Sequence, residues 1–267
     1  MQKGSISMDL NLNNKVALIT GGSKGIGFAT ALMLVNEGAH VAICGRDAVK
    51  LREAAALIKE ETGKEVYYTA KDVTIKQDCE DFVREAAEHF GGVDILINNA
   101  GQAAAMPFDL VSTEIWKQDL DLKLFAAINC ANAAIPYMRE RGGGAIVNVT
   151  ATIAKTAPAS SLPTSVSRAA GMTLTNAMSK DLGKDCIRVN TVCIGLIRSE
   201  QIEKMWKNSF NHLSWKEFSQ LPEHRIPLGR IGDANEAANV ISFLVSDAAS
   251  YITGTSVNID GGKGEAL

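Results

Sequence analysis

The chain has no cationic surplus: 27 Lys and Arg stand against 30 Asp and Glu over 267 residues, a net charge of -3. That excludes the basic excess needed to hold a nucleic-acid backbone. It also lacks an apolar run long enough to cross a bilayer. The opening MQKGSISMDLNLNNK has no apolar h-region, so residues 1–14 read as a loose polar tail, not as a secretory signal. The five cysteines include no CxxC pair, and the four histidines show no HxxxH or HExxH spacing, so no metal site is expected. Reduced, mostly buried thiols and a cytoplasmic location follow from the same pattern. Neither an internal repeat nor a low-complexity linker divides the sequence. What is present is a 46% hydrophobic chain, enough to bury a large core.

Short apolar, β-rich runs at 16–20, 41–44, 66–70, 94–97, 145–149, 187–193 and 255–259 alternate with helical stretches at 25–36, 47–61, 76–90, 113–141, 163–182 and 234–245. The runs lack clean alternation, as strands covered on both faces should. Strand–helix alternation implies βαβ units. The expected fold is α/β: one doubly wound parallel sheet (a Rossmann fold) over 15–267 with right-handed crossovers. Residues 199–224 interrupt the alternation. Aromatics are only 6% of the chain, yet Trp206, Phe210, Trp215 and Phe218 gather here. This segment is expected to be a helical lid over a substrate pocket.

Thr20-Gly21-Gly22-Ser23-Lys24-Gly25-Ile26-Gly27 joins the first strand to the first helix. Glycines there permit a tight turn, close approach to a pyrophosphate and tight helix–strand packing, while the helix N-terminus offers free N–H groups to the anion. At the tip of the second strand, Gly45-Arg46 stands where a carboxylate would bind a ribose 2′-hydroxyl. Arg46 and Lys24, two cations, favour a 2′-phosphate through charge-assisted bonds, so NADP(H) is expected over NAD(H).

At this point the sequence resembles the classical short-chain dehydrogenase/reductases over nearly its whole length. The residues carrying the likeness are TGGSKGIG at 20–27, Asp72-Val73, NNAG at 98–101, RVN at 188–190, GLIRS at 195–199 and ITGTSVNIDGG at 252–262. The resemblance implies that Asp72 and Val73 meet the adenine, that Asn98, Asn99 and Ala100 support the central strand and the adenosine ribose, and that Ile197 and Ser199 bond the nicotinamide carboxamide. Ile194 replaces the usual Pro before Gly195. The family's long helices pair across two-fold axes, so a homo-oligomer is implied, a tetramer before a dimer.

The family's catalytic positions are all altered. The run Arg168-Ala169-Ala170-Gly171 fixes the register, placing Thr164 at the Tyr position and Arg168 at the Lys position, where it would grip the nicotinamide ribose. Thr152, within one residue, falls at the Ser position, and Lys123 at the Asn position. Thr152 keeps a hydroxyl able to orient a carbonyl. Arg168 keeps a charge but cannot release a proton. Thr164 is too weak an acid to replace a phenol unaided. Lys123 is the newcomer able to fill the gap as acid/base or oxyanion stabiliser. Ser160, Ser161, Ser165 and Ser167 crowd the region, with no His or carboxylate in view to activate them. Three functions remain open: an oxidoreductase acting on a small carbonyl or alcohol substrate with a rebuilt proton-transfer site, an inactive NADP(H)-binding relative, and a lyase or isomerase on the same fold.

Overall fold

The computed structural model describes residues 9–266. Seven strands form a single sheet: β1 (Val16–Thr20), β2 (His40–Gly45), β3 (Tyr67–Ala70), β4 (Ile95–Asn98), β5 (Gly144–Ala151), β6 (Ile187–Ile194) and β7 (Ser256–Ile259). Their order is β3-β2-β1-β4-β5-β6-β7, and every pairing is parallel. The helices are α1 (Gly25–Asn36), α2 (Ala48–Thr62), α3 (Lys76–Phe90), α4 (Thr113–Leu120), α5 (Ala126–Glu140), α6 (Thr164–Leu182), α7 (Glu200–Ser209), α8 (Trp215–Ser219) and α9 (Ala234–Val245).

Alternate strand residues feed two cores, as the two-residue side-chain period requires. Ala17, Ile19, Val41, Ile43, Ile97 and Val147 pack under α1, α2 and α9. Leu18, Ala42, Leu96, Ile146 and Val189 pack under α3 and α5. Both faces are therefore dry, which explains why the strands read as apolar runs. The strand order reverses between β1 and β4, and the carboxyl ends at that reversal are where a ligand crevice opens in such sheets.

Two expectations need correction. Residues 1–8 of the expected tail lie outside the described residues, but residues 9–14 are not loose. Leu12 is 2% exposed in the core beneath α1, and the Leu10 carbonyl accepts from the Asp247 N–H. Two leucines, Leu10 and Leu12, in a short polar stretch are too few to give a period to read. The helix expected at 113–141 is continuous but changes pitch. Asp121–Phe125 is a π-helical turn between α4 and α5, a wider turn that commonly marks a functional site. The aromatics of the segment expected as a lid, 199–224, face one another. Trp206 meets Trp215 edge-on at 5.5 Å, Phe218 lies between Phe210 and Trp215, and Phe218 is fully buried. They form the segment's own small core, because a short insertion must bury its apolar side chains somewhere. Ile194 stays in β6, paired with Ile259, and the chain turns away at Gly195.

Among the described residues no helix is long and apolar enough to cross a membrane, and no group of three or more His, Cys, Asp or Glu is placed to hold a metal. All five cysteines are free, with Cys186 exposed and the other four buried.

Candidate active site

The glycine-rich turn sits at the β1/β4 reversal and is held from below. Thr20 Oγ1 accepts from the N–H groups of Asn99 and Ala100, each at 3.0 Å. The Asn99 amide donates to the carbonyls of Thr20 and Gly21, each at 3.0 Å. Asn99 thus fixes the turn itself. Gly21 (φ 68°) and Gly25 (φ 56°) occupy the left-handed region. A Cβ on Gly27 would collide with the Gly21 carbonyl oxygen, so glycine lets α1 approach β1. A Cβ on Gly25 would meet nothing within 4 Å. That open space at Gly25, the first residue of α1, is the feature an anion at a helix N-terminus needs.

At the tip of β2, Arg46 is exposed. Its neighbour Asp47 is turned away, accepting at 3.1 Å from the Val49 and Lys50 N–H groups to cap α2. Ser23 Oγ lies 3.9 Å from where a Gly45 Cβ would stand, so the serine hydroxyl is beside the same tip. Lys24 is not free as the sequence suggested. Its ammonium is paired with Glu200 on α7. Glu200 also meets Lys204 at 2.8 Å, and these partners pull its carboxyl down to about 2. Asp72 accepts from the Thr74 N–H and hydroxyl at the end of β3, and Val73 is buried. Ile197 is bridged to Gly232, and the Ser199 hydroxyl caps α7. Asn98 is spent inside the sheet, its amide donating to Asn148 Oδ1 of β5 at 2.9 Å.

The altered catalytic positions meet where α4, the π turn and α6 converge. Lys123, in the π turn, points inward with its side chain fully buried. Its ammonium donates to Thr164 Oγ1 at 2.9 Å. The Ala104 N–H donates to the same oxygen at 2.9 Å. Both acceptor sites of the Thr164 hydroxyl are thereby filled. Ala104 belongs to the loop after β4, which is tied over the start of α6 by the Met106–Leu162 bridge. Thr164 beneath it is 4% exposed.

One participant was missed in the sequence. Asp119, on α4, is 5% exposed; its Oδ1 pairs with Lys123 and its Oδ2 accepts from the Ser167 hydroxyl at 2.6 Å. A carboxylate does reach the hydroxyl cluster, contrary to expectation, although Ser167 is fully buried and has no path to a substrate. The readable signal was a charged i,i+4 pair inside the otherwise apolar stripe Ile115, Leu122, Ala126, Cys130. Burial is the main force pushing the Lys123 ammonium below its ordinary pKa; Arg168 adds to it, and Asp119 opposes both.

Arg168 donates through Nη1 to the Val149 carbonyl, against the Gly101 backbone. Burial pushes its pKa down to about 10, and Asp119 opposes the shift. Its Nε and the Asn98 Oδ1 have no protein partner. Both residues line a cavity of about 20 Å³ shared with Lys123, Asn148 and Ser167, room for one water molecule. Thr152 stands apart. It is 9% exposed, no hydrogen bond joins it to Thr164 or Lys123 among the described residues, and the C-terminal segment at Gly264 lies against it.

Comparison with known proteins agrees with this architecture. A family model described as enoyl-(acyl carrier protein) reductase matches residues 21–263. The chain is 39% identical to dehydrogenase/reductase SDR family member 4 of Bos taurus, covering 94% of this chain and 88% of that protein. Among solved structures, an NADPH-bound short-chain oxidoreductase of Pseudomonas aeruginosa PAO1 containing an atypical catalytic center superposes with a TM-score of 0.89 at 34% identity, over 95% of this chain and 98% of that one. L-sorbose reductase of Gluconobacter frateurii, complexed with NADPH and L-sorbose, gives 0.91 at 34% identity over 97% and 100%. The chain belongs to the short-chain dehydrogenase/reductase family of nicotinamide-dependent oxidoreductases.

Proposed function

We propose that this chain is an NADP(H)-dependent oxidoreductase of a carbonyl/alcohol pair in which Thr164 and Lys123 together replace the phenol of the family's usual site. The observation that carries the reading is the Thr164 oxygen. It accepts from Lys123 Nζ and from the Ala104 N–H, so its own proton is left to be given away. Two donors, one of them cationic, also stabilise the oxyanion that remains. A threonine hydroxyl too weak to act alone is thus placed where its conjugate base is supported.

Residues Gly21, Ser23, Lys24, Gly25, Ile26 and Gly27 would hold the pyrophosphate, with Ser23 and Arg46 on the 2′-phosphate. Asp72 and Val73 would meet the adenine, Asn98 to Ala100 would support the central strand and through it the adenosine ribose, Arg168 would meet the nicotinamide ribose, and Ile197 and Ser199 the carboxamide. Bound NADPH supplies a hydride to the carbonyl carbon. The carbonyl oxygen then takes the Thr164 proton, Thr164 is reprotonated from Lys123, and Lys123 regains its proton from solvent. Thr152 adds a hydroxyl to orient the carbonyl once the C-terminal segment yields. The NADPH in two structural relatives and the free Arg46 support the choice of cofactor. The exposed Phe125, at the end of the π turn that leads into α5, and Val166 on α6 suit pairing of copies into a tetramer.

The test is turnover of purified protein with NADPH over ketones, β-ketoacyl thioesters and quinones. One class should be reduced, and Lys123→Met should lower kcat by roughly 10²-fold or more while NADPH binding stays within about threefold. Unchanged kcat in that variant refutes the proton role. The binding-only reading rests on a different observation, the burial of Thr164 beneath the Ala104 loop; tight NADPH binding with no turnover on any class would favour it.

A further inference from the structure

We propose that Asp119 is the positioning residue of this site: its carboxylate holds the Lys123 ammonium against Thr164 and keeps that lysine in its proton-carrying form. The inference rests on the proton role proposed above for Lys123 and Thr164, and it adds a residue outside the family's four positions.

The geometry is specific. Asp119 precedes Lys123 by four residues, the favourable order for a helical acid–base pair. Such pairs normally lie in solvent. Here the side chains are 3% and 0% exposed. A buried pair of opposite charges contributes little to stability beyond what a well-packed apolar pair would give. What an apolar pair cannot give is a charge and a directed N–H donor. Both carboxylate oxygens are committed, Oδ1 to Lys123 and Oδ2 to the Ser167 hydroxyl. Ser167 lies one turn after Thr164 on α6, three residues on. The carboxylate is therefore fixed to the same turn of α6 that carries Thr164, and the lysine is fixed between them.

The charges around Lys123 make Asp119 decisive. From α6, Arg168 is the neighbouring cation and repels the ammonium. Thr164 and Ser167 on the same helix, Asn98 on β4, Asn148 on β5 and the Ala104 N–H of the loop present neutral dipoles. Asp119 is the anion of the set. Without it, burial and Arg168 both favour the neutral amine. A neutral Lys123 loses its charge and gains a lone pair, an acceptor for the Thr164 hydroxyl that competes with the substrate for the same proton. Removing one carboxylate should make Lys123 a competitor for that proton while leaving the fold and the cofactor turn in place.

The experiment follows the Lys123 side chain by NMR of lysine labelled at Cε, its signal assigned by loss in Lys123→Met. In the wild-type protein Lys123 should remain protonated through neutral pH. In Asp119→Asn its midpoint should fall by at least about one pH unit, a tenfold loss of proton affinity, and Asp119→Glu should restore much of it. Turnover in Asp119→Asn should vanish above the new midpoint and recover below it. A wild-type Lys123 already neutral at pH 7 overturns the proposal without any variant, as does a folded Asp119→Asn protein whose Lys123 midpoint has not moved. The two readings separate cleanly. If Lys123→Met retains full turnover, the proton role falls, whereas an unmoved midpoint in Asp119→Asn removes Asp119 alone.

Discussion

Replacing Arg46 by alanine tests the cofactor reading at its most exposed point. The Arg46 guanidinium stands at the tip of β2 with no ion-pair partner among the described residues, while Asp47 beside it is turned back onto α2. A charge-assisted hydrogen bond contributes about 1.5–3 kcal/mol where it is shielded. Solvent screening at this exposed tip reduces that to about 1–2 kcal/mol, or roughly a 5- to 30-fold weaker NADPH affinity at 1.4 kcal/mol per tenfold. NADH has no 2′-phosphate to lose, so its affinity should change less than about twofold. Calorimetric titration of both coenzymes at one fixed ionic strength reads the difference. The reciprocal change is Glu200→Gln. Glu200 holds Lys24 in the absence of a phosphate, and losing that competitor should tighten NADPH by up to about fivefold, the range of an exposed ion pair. Arg46→Ala lowering NADPH and NADH affinity in parallel, or lowering neither, would refute the phosphate assignment. A Glu200→Gln protein that binds NADPH more weakly would show that α7 supports the cofactor turn and does not compete with it.

Thr164→Val should lower kcat by roughly 10²-fold while Thr164→Ser keeps most of it, because only the hydroxyl is asked to move a proton; equal rates in both variants would place the proton source elsewhere. Asn99→Ala removes two hydrogen bonds to the turn backbone, so NADPH and NADH affinity should fall together, unlike the Arg46 result. Leu12→Ala should cost about 2–5 kcal/mol in denaturant unfolding, as buried leucines do, and a loss below about 0.5 kcal/mol would mean that residues 9–14 lie loose after all. The Lys123 pKa is lowered by folding, so the unfolded chain binds the proton more tightly. Stability should therefore rise with pH across the interval ending at the ordinary value of 10.5, and Lys123→Met should remove that rise in urea titrations.

The sheet was legible because its strands are short apolar runs bounded by glycine and polar turns, and the bounds of β1, α1, α3 and α9 follow from that pattern alone. The positions given to Thr164 and Arg168 rest on the Arg168-Ala169-Ala170-Gly171 run and the family resemblance, and both residues do fall on α6. Neither Glu200 beside Lys24 nor Asp119 beside Lys123 was seen, for two different reasons. Lys24 and Glu200 are 176 residues apart and meet only through the folded insertion. Asp119 and Lys123 are close in sequence, but an acid four residues before a base is the commonest pattern on a solvated helix face, and it masked the apolar stripe of Ile115, Leu122, Ala126 and Cys130 in which the pair lies. The π turn was invisible too, since it changes the pitch without changing the hydrophobic period that a reader counts.

The burial around Thr164 bears on whether the altered site is decayed or rebuilt. A site released from use has no reason to keep ions out of water, where each costs several kcal/mol to desolvate. Lys123 and Asp119 are kept there, and Arg168 beside them, with Lys123 held off by burial and drawn in by one carboxylate. Each of these side chains is also spent on another: Lys123 on Thr164, Asp119 on Lys123 and Ser167, Arg168 on the Val149 carbonyl. Such mutual satisfaction makes the replacements interdependent. Putting Tyr at position 164 alone would drive a ring into the space held by Lys123 and the Ala104 loop, so Thr164→Tyr should destabilise the fold without restoring the family's usual site. Recovery of stability would require Lys123 and Asp119 to be changed in the same protein. A single Thr164→Tyr variant that folds as well as the parent, judged by its thermal midpoint, would show the network to be loose, and the case for a rebuilt proton path would lose its structural support.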